Sequence, residues 1–195
     1  MPPLRLPQET QLYWELLDEL ERSGAVARAT IVKTWGSTPR ETGAKMLVTP
    51  SGAIRGTVGG GCGEAEVWQE AKKVLQDGQS RRLHIDLTED TDSDNGKVCG
   101  GRFDVFIELW RDQGDLRLEL KRALETSREI VLATYLGPER RATWKKPQAN
   151  DPQGSALSGR LPGWHTLIDC SSAAPQLGGA LLWEAARQVL SLIHI

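Results

Sequence analysis

Leu12, Leu16, Leu17 and Leu20 recur at helical spacing among polar and charged neighbours, which predicts an amphipathic helix over 8–23. Gly24 follows where a C-terminal cap belongs. The next segment, AVARATIVKTW, is rich in β-branched residues and reads as a strand through about Val32. A polar loop, GSTPRETGAK, separates it from KMLVTPSGAIRGTV, which reads as two short strands joined by a turn at Pro50, Ser51 and Gly52. Val67, Ala71, Val74 and Leu75 return to helical spacing, and Gly78 ends that helix. RRLHIDL alternates like a strand, TEDTDSDNGKVCGG is a loop, and RFDVFIELW is a strand with Phe103, Val105 and Ile107 on one face. The order predicts an α/β fold, a mixed sheet with flanking helices. Trp14, Trp68 and Trp183 fall in helical patterns and read as core.

The remainder echoes the beginning. VWQEAKKVL at 67–75 aligns without gaps on LWEAARQVL at 182–190, and VARATIV at 26–32 resembles IVLATYL at 130–136. Such pairing suggests a degenerate internal duplication, with 1–112 bearing the chemistry and 113–195 a decayed second half. Where the first copy has Gly-Gly-Gly-Cys-Gly-Glu, the second has PQLGGALLWE. The stretch KKPQANDPQGSALSG at 145–159 reads as a Pro/Gly-rich loop. No counterpart of the strands at 82–87 and 102–109 follows the second helix, and the terminal SLIHI resembles translated adapter, so a truncated second half is expected.

Composition narrows the function. A net charge of −2 and a pI near 6.0 give no electrostatic reason to expect nucleic acid or a membrane surface as partner. No apolar run approaches the roughly 20 residues that span a bilayer. Three widely spaced cysteines, with no signal peptide ahead of them, point to reduced thiols and a cytoplasmic setting.

The candidate chemistry centres on GTVGGGCGEAE, residues 56–66. With a helix starting near Gly63, Gly59, Gly60 and Gly61 bring bare backbone to its N-terminus, where N–H groups lack helical partners and the macrodipole favours an anion. Cys62 at that terminus gains thiolate character, suited to metal or sulfur chemistry. The same residues equally suit a tight helix-on-sheet turn around a small buried cysteine. There is neither a Gly-Lys-Ser/Thr phosphate loop nor a Gly-x-Gly-x-x-Gly fingerprint. Ser37, Thr38, Arg40 and Lys45 offer hydroxyl and cationic groups to an anionic ligand, or form a solvated loop turning at Pro39. Cys99, Gly100 and Gly101 repeat the pairing of cysteine with glycine. No Cys-x-x-Cys pair supports structural zinc, and the acidic run ending in DNG fails the EF-hand pattern. His84 reads as structural.

Taken in order and at their separations, GSTPRETGAKMLV, GAIRGTVGGGCGEAEV and VCGGRFDVFIE resemble the xanthine dehydrogenase accessory factor family of XdhC/CoxI type, strongly over about 10–110 and weakly beyond. The resemblance implies a maturation factor rather than a metabolic enzyme, one that binds the molybdenum cofactor (molybdopterin) as cargo. It implies handover to a molybdenum hydroxylase of xanthine dehydrogenase type, with a cysteine desulfurase as second partner, and it is compatible with a homodimer. Cys62 would then approach molybdenum as a ligand or guard its sulfur, with Cys99 a weaker second thiol. The C-terminal Rossmann-type domain of longer members has no counterpart in this sequence, and Gly63 stands where the family usually carries an aliphatic residue. Two other readings stay open: a thiol-dependent enzyme using Cys62, disfavoured because neither motif holds a histidine to act as base, and a ligand-free interaction module.

Overall fold

The computed structural model describes residues 8–88, 100–112, 114–126, 130–136, 165–169 and 190–194. Helix α1 (Gln8–Ser23) ends at Gly24, whose φ of 75° places it in the left-handed region and whose N–H donates to the Leu20 carbonyl. Strand β1 (Ala25–Trp35) runs three residues past the expected end. The pairing slips at Val32, because Ile31 faces Val105 while Lys33 faces Asp104. Such a bulge re-aims the side chains that follow. Strands β2 (Lys45–Val48) and β3 (Ile54–Gly56) form the expected hairpin around residues 49–53. Helix α2 (Gly61–Asp77) closes at Gly78, again left-handed, and β4 (Arg81–Asp86) and β5 (Arg102–Arg111) follow.

These strands make one sheet in the order β3-β2-β1-β5-β4, with flanking helices as expected. All its pairings are antiparallel, where a mixed sheet was expected. The correction is topological: α2 carries the chain from β3 at one edge to β4 at the other, and β5 returns between β4 and β1, so strands of like direction are never neighbours.

Phe103, Val105 and Ile107 point to one face, as their alternation requires, and meet Val67, Ala71 and Val74 of α2 in a core shared with Ala27, Ala29, Ile31, Met46 and Val48. Helix α1 packs on β1 and β3, burying Tyr13, Leu16, Leu17 and Leu20. Both faces of β1 are therefore covered over Val26–Ile31, which is why its sequence is nearly all apolar or β-branched. Arg28 is the exception. It pairs across the sheet with Glu108, Nε donating at 2.9 Å and Nη2 at 2.5 Å to Oε1. Tyr13 Oη accepts from Arg28 at 3.2 Å, and the Trp110 ring lies 4.6 Å from the guanidinium carbon. Burial pushes the Glu108 carboxyl upward, with Arg28 pulling it back, and burial pushes the Tyr13 phenol up as well.

Helix α3 (Gly114–Glu125) was not anticipated, although Leu116, Leu120 and Ala123 carry helical spacing. It packs against α1, and the chain divides into two compact units, the first running to Arg128. The second unit, 129–194, contains β6 (Ile130–Tyr135), β7 (His165–Asp169) and β8 (Leu190–His194) in an antiparallel sheet of order β7-β6-β8. The segment likened to β1 is thus a strand. The loop at 145–159, Trp183 and most of the expected second helix lie outside the described residues, but Leu190, its last expected position, opens β8.

Candidate functional site

Three loops carry the candidate residues, and the fold brings them together at one end of the five-stranded sheet. The first, residues 36–40, leaves the end of β1; the second, 57–60, joins β3 to α2; the third, at Gly100 and Gly101, enters β5. Gly101 is buried, and a β-carbon there would collide with the Ser37 carbonyl and stand 2.8 Å from Thr38 Cγ2. A β-carbon on Gly59 would stand 2.8 Å from Pro39 Cγ, and one on Gly36 would stand 3.3 Å from the Gly100 carbonyl oxygen. The glycines at these positions are what let the three loops touch.

Helix α2 begins at Gly61, two residues before the expected start, so Cys62 belongs to its first turn. The side chain of Cys62 and all of Cys99 lie outside the described residues. Gly60 caps the helix at φ 84° with no side-chain bond of its own. The capping instead comes from Glu64, whose Oε2 accepts from Thr57 Oγ1 at 2.5 Å and from the Gly60 N–H at 3.2 Å. Thr57 Oγ1 in turn accepts the Gly59 N–H at 3.0 Å. Thr57 and Glu64 thus fasten the turn from both ends, a contribution that the sequence signals only through a Glu in the first helical turn. Gly60 and Gly61 are exposed, with nothing within 4 Å of where their β-carbons would stand. The turn therefore presents bare backbone to open space.

Gly63 faces inward. A β-carbon there would stand 3.0 Å from Ile85 Cγ2 and 3.6 Å from Phe103 Cζ. The glycine that weakens the helix start also lets α2 sit close on β4 and β5.

The cations named together in the sequence part company. Arg40 is exposed, in the loop whose Pro39 touches Gly59, and its carbonyl accepts from Thr38 Oγ1 at 2.8 Å. Ser37 is exposed beside it. Lys45 is buried, and its Nζ donates to Glu9 of α1 at 2.5 Å and to the Gly43 carbonyl at 2.8 Å. Because Met46 points into the α2 core, Lys45 points to the opposite, α1-covered face. The structure does not bring it to the glycine turn. Burial lowers the Lys45 ammonium pKa, partly offset by Glu9.

His84 is exposed on edge strand β4, its Nδ1 2.7 Å from Asp104 Oδ1 and its ring edge-on to Trp35. Trp68 is half-buried, its Nε1 donating to the Gly52 carbonyl at 3.0 Å. Among the described residues no group of three or more His, Cys, Asp or Glu side chains is placed to hold a metal ion. Nor, among them, is any helix long and apolar enough to cross a membrane.

Residues 20–86 match the XdhC and CoxI family, a span that includes the first two site loops. The chain is 39% identical over 89 residues to YqeB of Escherichia coli (strain K12), a protein described as uncharacterized; the match covers 46% of this chain and 16% of YqeB. In fold it is similar to a xanthine dehydrogenase from Bacillus halodurans, with a TM-score of 0.52 and 30% identity, over 64% of this chain and 38% of that one. The chain thus spans well under two thirds of either relative. Matching segment, shared fold and motif loops closed on one another agree: over residues 20–86 the chain is similar to the XdhC and CoxI family.

Proposed function

We propose that this domain carries the molybdenum cofactor as cargo and passes it to a molybdenum hydroxylase of xanthine dehydrogenase type during that enzyme's maturation. One observation carries the reading: the 36–40, 57–60 and 100–101 loops close on one another while leaving Gly60 and Gly61 open at the start of α2. The family match and the likeness to a Bacillus xanthine dehydrogenase support the kind of client.

The cargo is a pterin dithiolene with a phosphate and an anionic oxo-molybdenum centre. With the Gly59 and Gly60 N–H groups taken by Thr57 and Glu64, the first-turn amides from Gly61 onward are the ones that suit its anionic parts, and exposed Arg40 supplies a cation close by. Metal held by the cargo's own dithiolene needs few protein ligands, in keeping with the donors at hand. Cys62, in the first turn where the dipole favours thiolate, would be the soft ligand or guard, and Cys99, next to Gly100, a second one. Glu64 sets a negative charge beside the same turn, so the grip is weaker than the amides alone would give. A carrier has to release what it binds.

The test is to mix the purified chain with the cofactor, separate bound from free by gel filtration, and follow survival in air. Retention with protection is expected for the wild type, and loss of protection for Cys62→Ser. Elution of the wild type without cofactor would overturn the proposal, and equal protection by Cys62→Ser would remove the thiolate role.

A further inference from the structure

Helix α2 has a second stripe that its core does not explain. Gly63, Val67, Ala71 and Val74 face the sheet, whereas Gly61, Glu64, Ala65 and Trp68, also at helical spacing, line an open cleft facing Ile54 of β3. The cleft holds about 310 Å³, within the range of small-ligand sites. Ile54 is 38% exposed, and Ala65 is exposed too. Trp68 has its one donor committed to Gly52, which leaves its ring surface, with Lys72 Nζ 4.4 Å from the ring centroid. Glu64 is held in place through Oε2 by Thr57 and Gly60, while Oε1 accepts no hydrogen bond among the described residues. A carboxylate oxygen with two lone pairs to offer, set against flat apolar surface, selects a planar ring that carries adjacent N–H donors.

We propose that this cleft binds the 2-amino-4-oxopyrimidine edge of a fused heterocycle, with Glu64 accepting its N–H groups and Trp68 and Ile54 flanking the ring. The inference rests on the carrier reading for where the ring comes from. The cargo's pterin presents this donor edge, and the guanine of a free nucleotide presents the same one.

Fluorescent neopterin titrated with the full chain is expected to bind and to be displaced by guanosine monophosphate but not by adenosine monophosphate, whose ring edge lacks adjacent N–H donors. Tighter binding of neopterin than of guanosine monophosphate assigns the pterin; the reverse assigns the nucleotide base. In Glu64→Gln the amide oxygen still caps Thr57 and Gly60, turning the NH₂ towards the ligand's own donors. Binding is expected to weaken roughly tenfold or more, the effect of losing a charge-assisted hydrogen bond. Ala65→Leu fills the cleft at an exposed helical position and is expected to weaken binding with the circular dichroism unchanged.

Displacement by adenosine monophosphate as effective as by guanosine monophosphate, wild-type binding by both variants, or no binding of either ring at millimolar concentration would overturn the proposal. Running the molybdenum cofactor on the same proteins keeps the two ideas apart. Equal retention by wild type and Ala65→Leu sinks the cleft and spares the carrier. A wild type that retains no cofactor sinks the carrier, and the neopterin titration then judges the cleft's ring preference alone.

Discussion

Gly101 lies so close against the backbone carbonyl of Ser37 that no β-carbon fits between them. This contact seals the β1-end loop onto the start of β5, and the packing of Pro39 on Gly59 seals the same loop onto the helix start. Gly101→Ala and Gly59→Ala are therefore expected to push the loops apart, each costing about 1–3 kcal/mol, the usual cost of overpacking. Gly60→Ala meets open space, but its φ of 84° with ψ of 172° is a backbone region held almost only by glycine, so it too is expected to cost about 1–3 kcal/mol, through strain rather than contact. Urea denaturation of the three variants checks these losses.

Arg40 and Lys45, five positions apart, should answer differently to removal of their charge. Arg40→Ala is expected to lower cofactor retention with stability unchanged to within about 0.5 kcal/mol, as for an exposed side chain. Lys45→Met keeps the buried stem and removes the ammonium that ties β2 to Glu9 of α1. It should alter the thermal midpoint while leaving retention at the wild-type level. Gel filtration with cofactor, alongside melting curves, separates the two.

The Arg28–Glu108 pair is buried on both sides, so Glu108→Ala leaves the guanidinium without its carboxylate in a site water cannot reach. A loss of about 3–5 kcal/mol is expected, a large part of the roughly 5–15 kcal/mol that holds a typical domain. Replacing both members, Arg28→Met with Glu108→Leu, should cost less than the single change. Denaturant midpoints of the single and double variants decide it.

Asp77, at the end of α2, carries a carboxyl lowered to about 2 by hydrogen bonds from Arg81 and from the Gln79 N–H. A depressed carboxylate pKa adds stability above the unfolded value near 3.8, and that stability drains away as the pH falls towards 2. Asp77→Asn should therefore melt below the wild type at neutral pH, with the two midpoints converging near pH 2. Melting curves across that interval check the sign.

Much of the first unit was legible because its periodicities are local. The leucines of α1, Gly24 and Gly78 at the helix ends, and Phe103, Val105 and Ile107 on β5 each declare their role within a few residues. The bulge at Val32 did not, because it is set by the partner strand. Nor did the fate of Lys45. In KMLV both faces of the strand are buried, so alternation does not separate the core side from the α1 side, and only the register with β1 does. The site itself was legible as three glycine-bearing motifs, but their meeting was not. Ser37 and Gly101 lie far apart in the chain and come together only through the pairing of β1 with β5. Helix α3 shows the opposite failure: its spacing at Leu116, Leu120 and Ala123 was present and passed over.

Because the meeting point is built from strand ends, the Gly-Gly-Gly-Cys segment is not portable. A peptide spanning β3 and α2 would carry every letter of the motif, yet Pro39 and Ser37 would be missing from its neighbourhood. Grafting the segment into another protein would transplant a spelling, not a receptacle; what must travel is the central strand with both of its neighbours.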